Sequence, residues 1–164
     1  MNMKLNETIF ANLKFQLMIK RQLFVKCMEM LNLQMEKYKK EIQTVKEALE
    51  NESSKSEDDD GGKSEMLTEI EKYSKYLENT ENLKNQLKRI DITQEHNVVT
   101  NGSLVETENN FFFITVALGK IDIGDSKNYY SISTDAPIYA HLKGKEAGDT
   151  FNFNNHNYKI IQVY

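Results

Sequence analysis

Carboxylates crowded into the middle of the sequence are the residues best placed to do chemistry. From Glu47 to Glu65 there are eight acidic residues against only Lys55 and Lys63, and the densest part runs Glu57, Asp58, Asp59, Asp60. Clustered carboxylates repel one another, so a run of this kind calls for a cation or a basic pocket. Mg²⁺ takes oxygen ligands and shares them with phosphates and water. One or two of these side chains could therefore complete a site that a partner supplies. Asp58, Asp59, Asp60 and Glu65 are the candidate ligands for such a shared Mg²⁺, and no cofactor is expected to be held tightly by the chain alone. Their spacing does not match an EF-hand loop. Upstream the sign reverses: Lys14 to Lys46 holds eight basic residues against three glutamates. A solvated helix surface and a solvated loop are the ordinary reading of such charge runs.

Other constellations are weak. His96, His141 and His156 have neither paired spacing nor cysteine neighbours, which argues against a zinc site. Cys27, the one cysteine, lies beside an apolar stripe and reads as a packing residue rather than a nucleophile. G-x-S-x-G, P-loop and Rossmann fingerprints are absent, so the expectation is an accessory protein, not a self-sufficient enzyme. A net charge of −4 gives no reason to expect non-specific nucleic-acid binding by the whole molecule. No run approaches the roughly 18 apolar residues of a membrane span. With one cysteine and no signal-like N-terminal run, the cytoplasm is the expected location.

The carboxylates must be positioned by the segments that flank them. Phe24, Met28, Leu31, Met35, Tyr38, Ile42, Val45 and Leu49 follow steps of four and three, the a/d pattern of a coiled-coil stripe. Met66, Ile70, Tyr73, Leu77, Thr80, Leu83, Leu87 and Ile90 form a second stripe, with one irregular step near Leu83. The stretch between them, about residues 52–64, has no apolar side chain and contains Gly61-Gly62, suited to reversing the chain. Residues 1–90 therefore predict an antiparallel helical hairpin with the acidic run at its tip. The second helix is expected from about Ser64 to Ile90.

Beyond Ile90 the period changes. Five of the seven glycines, the single Pro137 and most of the phenylalanine lie there. Residues 91–97 read as a connector and 98–164 as a β domain. Strands are expected at Ser103–Thr107, Asn110–Ala117, Tyr129–Ser133, Thr150–Phe153 and Tyr158–Val163. Phe111-Phe112-Phe113-Ile114-Thr115-Val116 is apolar on both faces, as in a central strand. Asn154 to Asn157 reads as a hairpin turn and Gly148-Asp149 as a turn before it. Asp135 to Gly144 predicts a short helix capped by Asp135 or Thr134, with Pro137 in its first turn and Gly144 at its end. The fold class is α+β.

The segment Ile132-Ser-Thr-Asp-Ala-Pro-Ile-Tyr-Ala-His-Leu-Lys-Gly-Lys-Glu-Ala-Gly-Asp149 resembles the "I-S-x-x-S-P-[LI]-G-x-A-L-[LI]-G-K-x-x-G-D" segment of the GreA/GreB family of transcript cleavage factors. A terminal hairpin follows, as in that family, from Phe151 to Val163. The resemblance covers roughly Ile19 to Tyr164, and the first 18 residues look like an extension that lengthens the first helix or leads into it. It implies a coiled-coil hairpin followed by a small FKBP-like antiparallel β domain with one short helix. It also implies a monomer in the bacterial cytoplasm that binds the secondary channel of RNA polymerase, with no membrane partner. Pro137, Gly144, Lys145, Gly148 and Asp149 would then dock on the polymerase, while Lys37, Lys40 and Lys46 face RNA or the channel wall. Asp60 and Glu65 would be the accessory catalytic carboxylates. They would help the polymerase use a shared Mg²⁺ to cut backtracked RNA at its 3′ end, which the factor touches only indirectly. The family's tip reads close to "G-D-L-x-E-N-A-E-Y", with its aspartate and first glutamate three residues apart. Here Asp60 and Glu65 are five apart, and Glu69 stands where the tyrosine would be. A channel-binding regulator without cleavage activity fits this altered tip as well. A proline isomerase, the other activity an FKBP-like fold brings to mind, is disfavoured because the chain has no tryptophan for the floor of the usual proline pocket.

Overall fold

The computed structural model describes the backbone of residues 2–53 and 60–164, and the side chains of 14–51 and 61–164. Two long helices come first, α1 (Asn2–Ser53) and α2 (Asp60–Lys88). Six strands and a short helix follow: β1 (Leu104–Thr107), β2 (Phe111–Thr115), β3 (Gly119–Ile121), β4 (Tyr129–Ser133), α3 (Pro137–Leu142), β5 (Thr150–Phe153) and β6 (His156–Val163). The α+β class is the one expected. By contacts the chain forms two units, Glu29–Asn85, and Met1–Met28 together with Gln86–Tyr164. Contact thus groups the base of α1 with the sheet, whereas composition divides the chain at residues 91–97.

The first unit is an antiparallel helix pair. Leu31 and Met35 of α1 and Thr80 of α2 are buried along the seam. Tyr38 meets Tyr76 and Tyr73 across it, with ring centroids 5.5 and 6.3 Å apart. Thr80, a polar residue at a seam position, is accommodated because its hydroxyl donates to the Tyr76 carbonyl at 2.8 Å. Both helices run further toward the tip than expected. Glu52 and Ser53 belong to α1 and Asp60 to Ser64 to α2, so the expected loop at 52–64 contracts, and residues 54–59 lie outside the described residues. Gly61 and Gly62 sit in the first turn of α2. First-turn N–H groups have no intrahelical partner to lose, so glycine costs least at that end.

In the second unit the strands run in the order β3-β4-β2-β1-β6-β5. All neighbours are antiparallel except β2 and β4, which pair in parallel from Phe111↔Tyr129 to Thr115↔Ser133. A parallel pair needs a long crossover, and residues 116–128 supply it, with β3 inside. Sequence reading did not anticipate β3, because Gly119-Lys120-Ile121 offers one apolar residue between turn-forming neighbours. The terminal hairpin is tighter than the expected four-residue turn. His156 and Asn157 pair with Phe153 and Asn152, leaving Asn154 and Asn155 as a two-residue turn. Both adopt positive φ, +50° and +61°, a region that asparagine tolerates better than most residues.

Two layers cover the sheet. On one face Tyr139 and Leu142 of α3 pack into a core with Val105, Phe112, Ile114, Phe151 and Ile160. On the other face the base of α1 lies close: Ile19, Leu23 and Cys27 are buried, and the Cys27 thiol lies beside Ser131 of β4. This double cover explains why β2 is apolar on both faces. Helix α3 is not capped by Asp135 or Thr134: its N-cap is Ala136, without a side-chain cap bond. Pro137 at the first position brings no N–H to satisfy, and the Ala136 N–H donates to the Ser133 carbonyl at 3.1 Å.

Gly102 precedes β1 at a φ of +88°, where an added Cβ would meet Ile90 Cγ2 at 3.2 Å and His96 Nε2 at 3.5 Å. Gly102→Ala is therefore expected to destabilise the protein by about 1–3 kcal/mol, read from the urea midpoint.

Candidate functional site

At the tip, Asp58 and Asp59 lie outside the described residues. Asp60 opens α2, and Glu65 stands one turn on, exposed. At about 100° per residue, helix positions five apart are separated by roughly 140°. Positions 60 and 65 are therefore not brought onto one face. The partner that helix geometry gives Glu65 is Glu69, one turn further, and the two line a shallow open depression with Thr68 and Lys72. The sequence reading noted Glu69 only as a departure from the family pattern. Its i, i+4 spacing from Glu65 was the available signal. No group of three metal-ligating side chains occurs among the described residues.

The stem lysines Lys37, Lys40 and Lys46 are all exposed. Lys37 and Lys40 lie about 60° apart around α1, whereas Lys46 is on the opposite side from Lys37. They do not make a single basic stripe.

The fold itself uses most of the five candidate docking residues. Gly144 ends α3 at a φ of +76° and its N–H donates to the Val99 carbonyl at 3.0 Å. Gly148 has a φ of +94° and donates to the Ile160 carbonyl at 2.8 Å. The Asp149 carboxylate accepts the Glu146 N–H at 3.0 Å, closing the turn. Lys145 offers its carbonyl to the Val99 N–H at 2.8 Å. Pro137, exposed, starts α3.

One cluster was missed. Lys20, counted above with the stem charges, is buried at 3% exposure. Its ammonium donates to the main-chain oxygens of Gln94 at 3.0 Å and Tyr164 at 3.4 Å. Burial lowers its pKa to about 8, with Asp91 pulling the other way. His96 is also buried; desolvation and the nearby Lys20 hold its pKa below the usual value, and its Nε2 has no hydrogen-bond partner. The connector is thus a pinned turn. Asp91 accepts the Thr93 N–H and hydroxyl at 2.9 and 2.6 Å, and those bonds keep its carboxyl acidic. Sequence alone carried no sign of this, since Lys20 differs in no local way from Arg21 or Lys26.

Cys27 is fully buried, and burial pushes its thiol up to about 11, so it is a poor nucleophile at neutral pH. The Tyr164 hydroxyl donates to Glu106 and the Tyr129 hydroxyl to Asp125, and burial raises both phenols above their ordinary range. Among the described residues, no helix is long and apolar enough to cross a membrane.

No family model and no curated protein matches the chain. Among solved structures it is similar to the GreA factor homolog 1 (Gfh1) protein of Thermus thermophilus, with 19% identity and a TM-score of 0.35 over 84% of this chain and 94% of that one. A second structure of the transcription factor Gfh1 gives 20% identity and a TM-score of 0.36, covering 85% and 94%.

Proposed function

We propose that the protein is a transcription elongation factor acting on RNA polymerase. Its helical hairpin enters the secondary channel, and its tip carboxylates share the Mg²⁺ with which the polymerase cuts backtracked RNA. The observation that carries this reading is the joint presence of two features. One is an antiparallel helix pair converging on an acidic run. The other is a sheet unit in which the Gre-like segment Ile132–Asp149 forms the end of β4, α3 and the turn into β5. The chemistry belongs to the polymerase. A carboxylate from the tip would supply an oxygen ligand to the metal that activates water, in the two-metal manner.

The test is RNA release from a stalled, backtracked elongation complex, with polymerase from the same organism. Short 3′ fragments should appear in a Mg²⁺-dependent way. Replacing Asp58, Asp59, Asp60 and Glu65 together by alanine should slow their release by about 100-fold. A second reading, a channel-occupying regulator without cleavage, is favoured by the angular separation of positions 60 and 65. It predicts competition with a channel-binding probe and no fragments. Neither binding nor fragments would sink both readings and leave a coiled-coil adaptor.

A further inference from the structure

Three side chains stand in a row across the face of the sheet that α1 covers. Glu106 of β1 is paired directly with Phe111 of β2, and Phe111 with Tyr129 of β4. Directly paired residues share a face. With Phe15 of α1, Tyr164 and Lys127, this row lines a cavity of about 220 Å³. That volume lies below the range of about 300–1,000 Å³ typical of ligand pockets, so it suits a small head group. Four aromatic residues thus surround a space whose charged side chains, among the described residues, are Glu106 and Lys127. The polar ends of both tyrosines are already engaged: the Tyr164 hydroxyl donates to Glu106 and the Tyr129 hydroxyl to Asp125. What a ligand would meet is ring surface beside a carboxylate held in place. One of those rings already holds a cation. The exposed Lys127 sets its ammonium 4.9 Å from the centroid of Phe111. That lies inside the roughly 6 Å within which a ring face attracts a positive charge.

We propose that this cavity binds a small quaternary ammonium solute, its methylated head against Phe15, Phe111 and Tyr129 and its charge answered by Glu106. A methylated cation has no N–H to satisfy, so aromatic faces can enclose it at little cost in hydration. A lysine ammonium is compact and strongly hydrated, and it gains less from the same rings. Lys127 is then the competitor that occupies Phe111 while the site is empty, and its exposed, flexible stem lets it swing away. The site lies wholly within the sheet unit and is independent of polymerase binding.

The probe is choline, titrated into the full-length protein at neutral pH and followed by amide chemical shifts. Its uncharged analogue, with carbon in place of nitrogen, is the control for shape. Saturable shifts at Glu106, Phe111 and Lys127 are expected with choline, and binding about tenfold weaker with the analogue. Lys127→Ala removes the competitor and should tighten choline binding about two- to fivefold, the worth of a cation–ring contact at an exposed site. Phe15→Ala, at a position 50% exposed, should fold normally and weaken binding roughly fivefold. Absent shifts, equal binding of the analogue, or unchanged or weaker binding in Lys127→Ala would each overturn the proposal. If Phe15→Ala fails to fold, the analogue and Lys127→Ala decide it alone.

Discussion

Replacing Phe113 by alanine is expected to cost about 3–5 kcal/mol of stability, the range for a fully buried aromatic ring. Phe113 is 0% exposed at the middle of β2. It pairs with Leu104 of β1 on one side and Ser131 of β4 on the other. Directly paired residues share a face, so the ring lies on the side where Ser131 meets Cys27 of α1. A large-to-small change there opens a cavity between a sheet fixed by its hydrogen-bond ladder and a helix held by its own backbone. Neither can collapse far to fill it. Since domains of this size are stable by only about 5–15 kcal/mol, the variant should sit near its unfolding threshold at moderate temperature. The check is urea unfolding followed by amide exchange in β1 and β2, with half-buried Phe111→Ala as the smaller-effect control. A loss below about 1 kcal/mol would mean that the ring is not packed as described.

Stability is also expected to rise with pH between about 8 and 10.5, and Lys20 is the cause. Its amine titrates at 10.5 in the unfolded chain and near 8 in the fold, lowered first by burial. Between those values the unfolded chain holds more protons, so the slope of unfolding free energy against pH is positive. The Lys20 contribution is fully present above pH 10.5 and is lost as pH falls through 8. Tyr129 and Tyr164 act in the opposite sense. Burial and their carboxylate partners raise both phenols from 10.0, so above about pH 10 the unfolded chain loses protons first and stability falls. The wild type should therefore show a climb from about pH 7.5 to 10 and then a decline. Lys20→Met should lose the climb and keep the decline. Urea midpoints across that range decide the matter, and an equal climb in both proteins would show that the amine is hydrated in the fold.

Periodicity carried the architecture. Steps of four and three along α1 and α2 forecast a helix pair with one apolar seam, and Tyr38 meets Tyr73 on it, with Tyr76 beside the forecast stripe. A six-residue apolar run forecast a central strand, and β2 lies between two other strands. Gly144 and Gly148 announced the ends of α3 and of the turn before β5, because positive φ selects glycine. The carboxylate tip was legible as a charge cluster. Its geometry was not, because the helix boundary at Asp60, which decides the faces of positions 60 and 65, lies among glycines and acids of weak preference. Side-chain roles set by remote partners stayed hidden for the same kind of reason. Lys20 meets oxygens 74 and 144 residues away, and Cys27 meets Ser131, so nothing near them in the chain could report it. By itself the sequence determined the two long helices, the short one, five of the six strands and where charge collects, since these follow from local pattern. Only the tertiary structure decided which charge is buried, which strand pair runs parallel and which residues share a cavity, since each depends on chain segments that pattern cannot bring together.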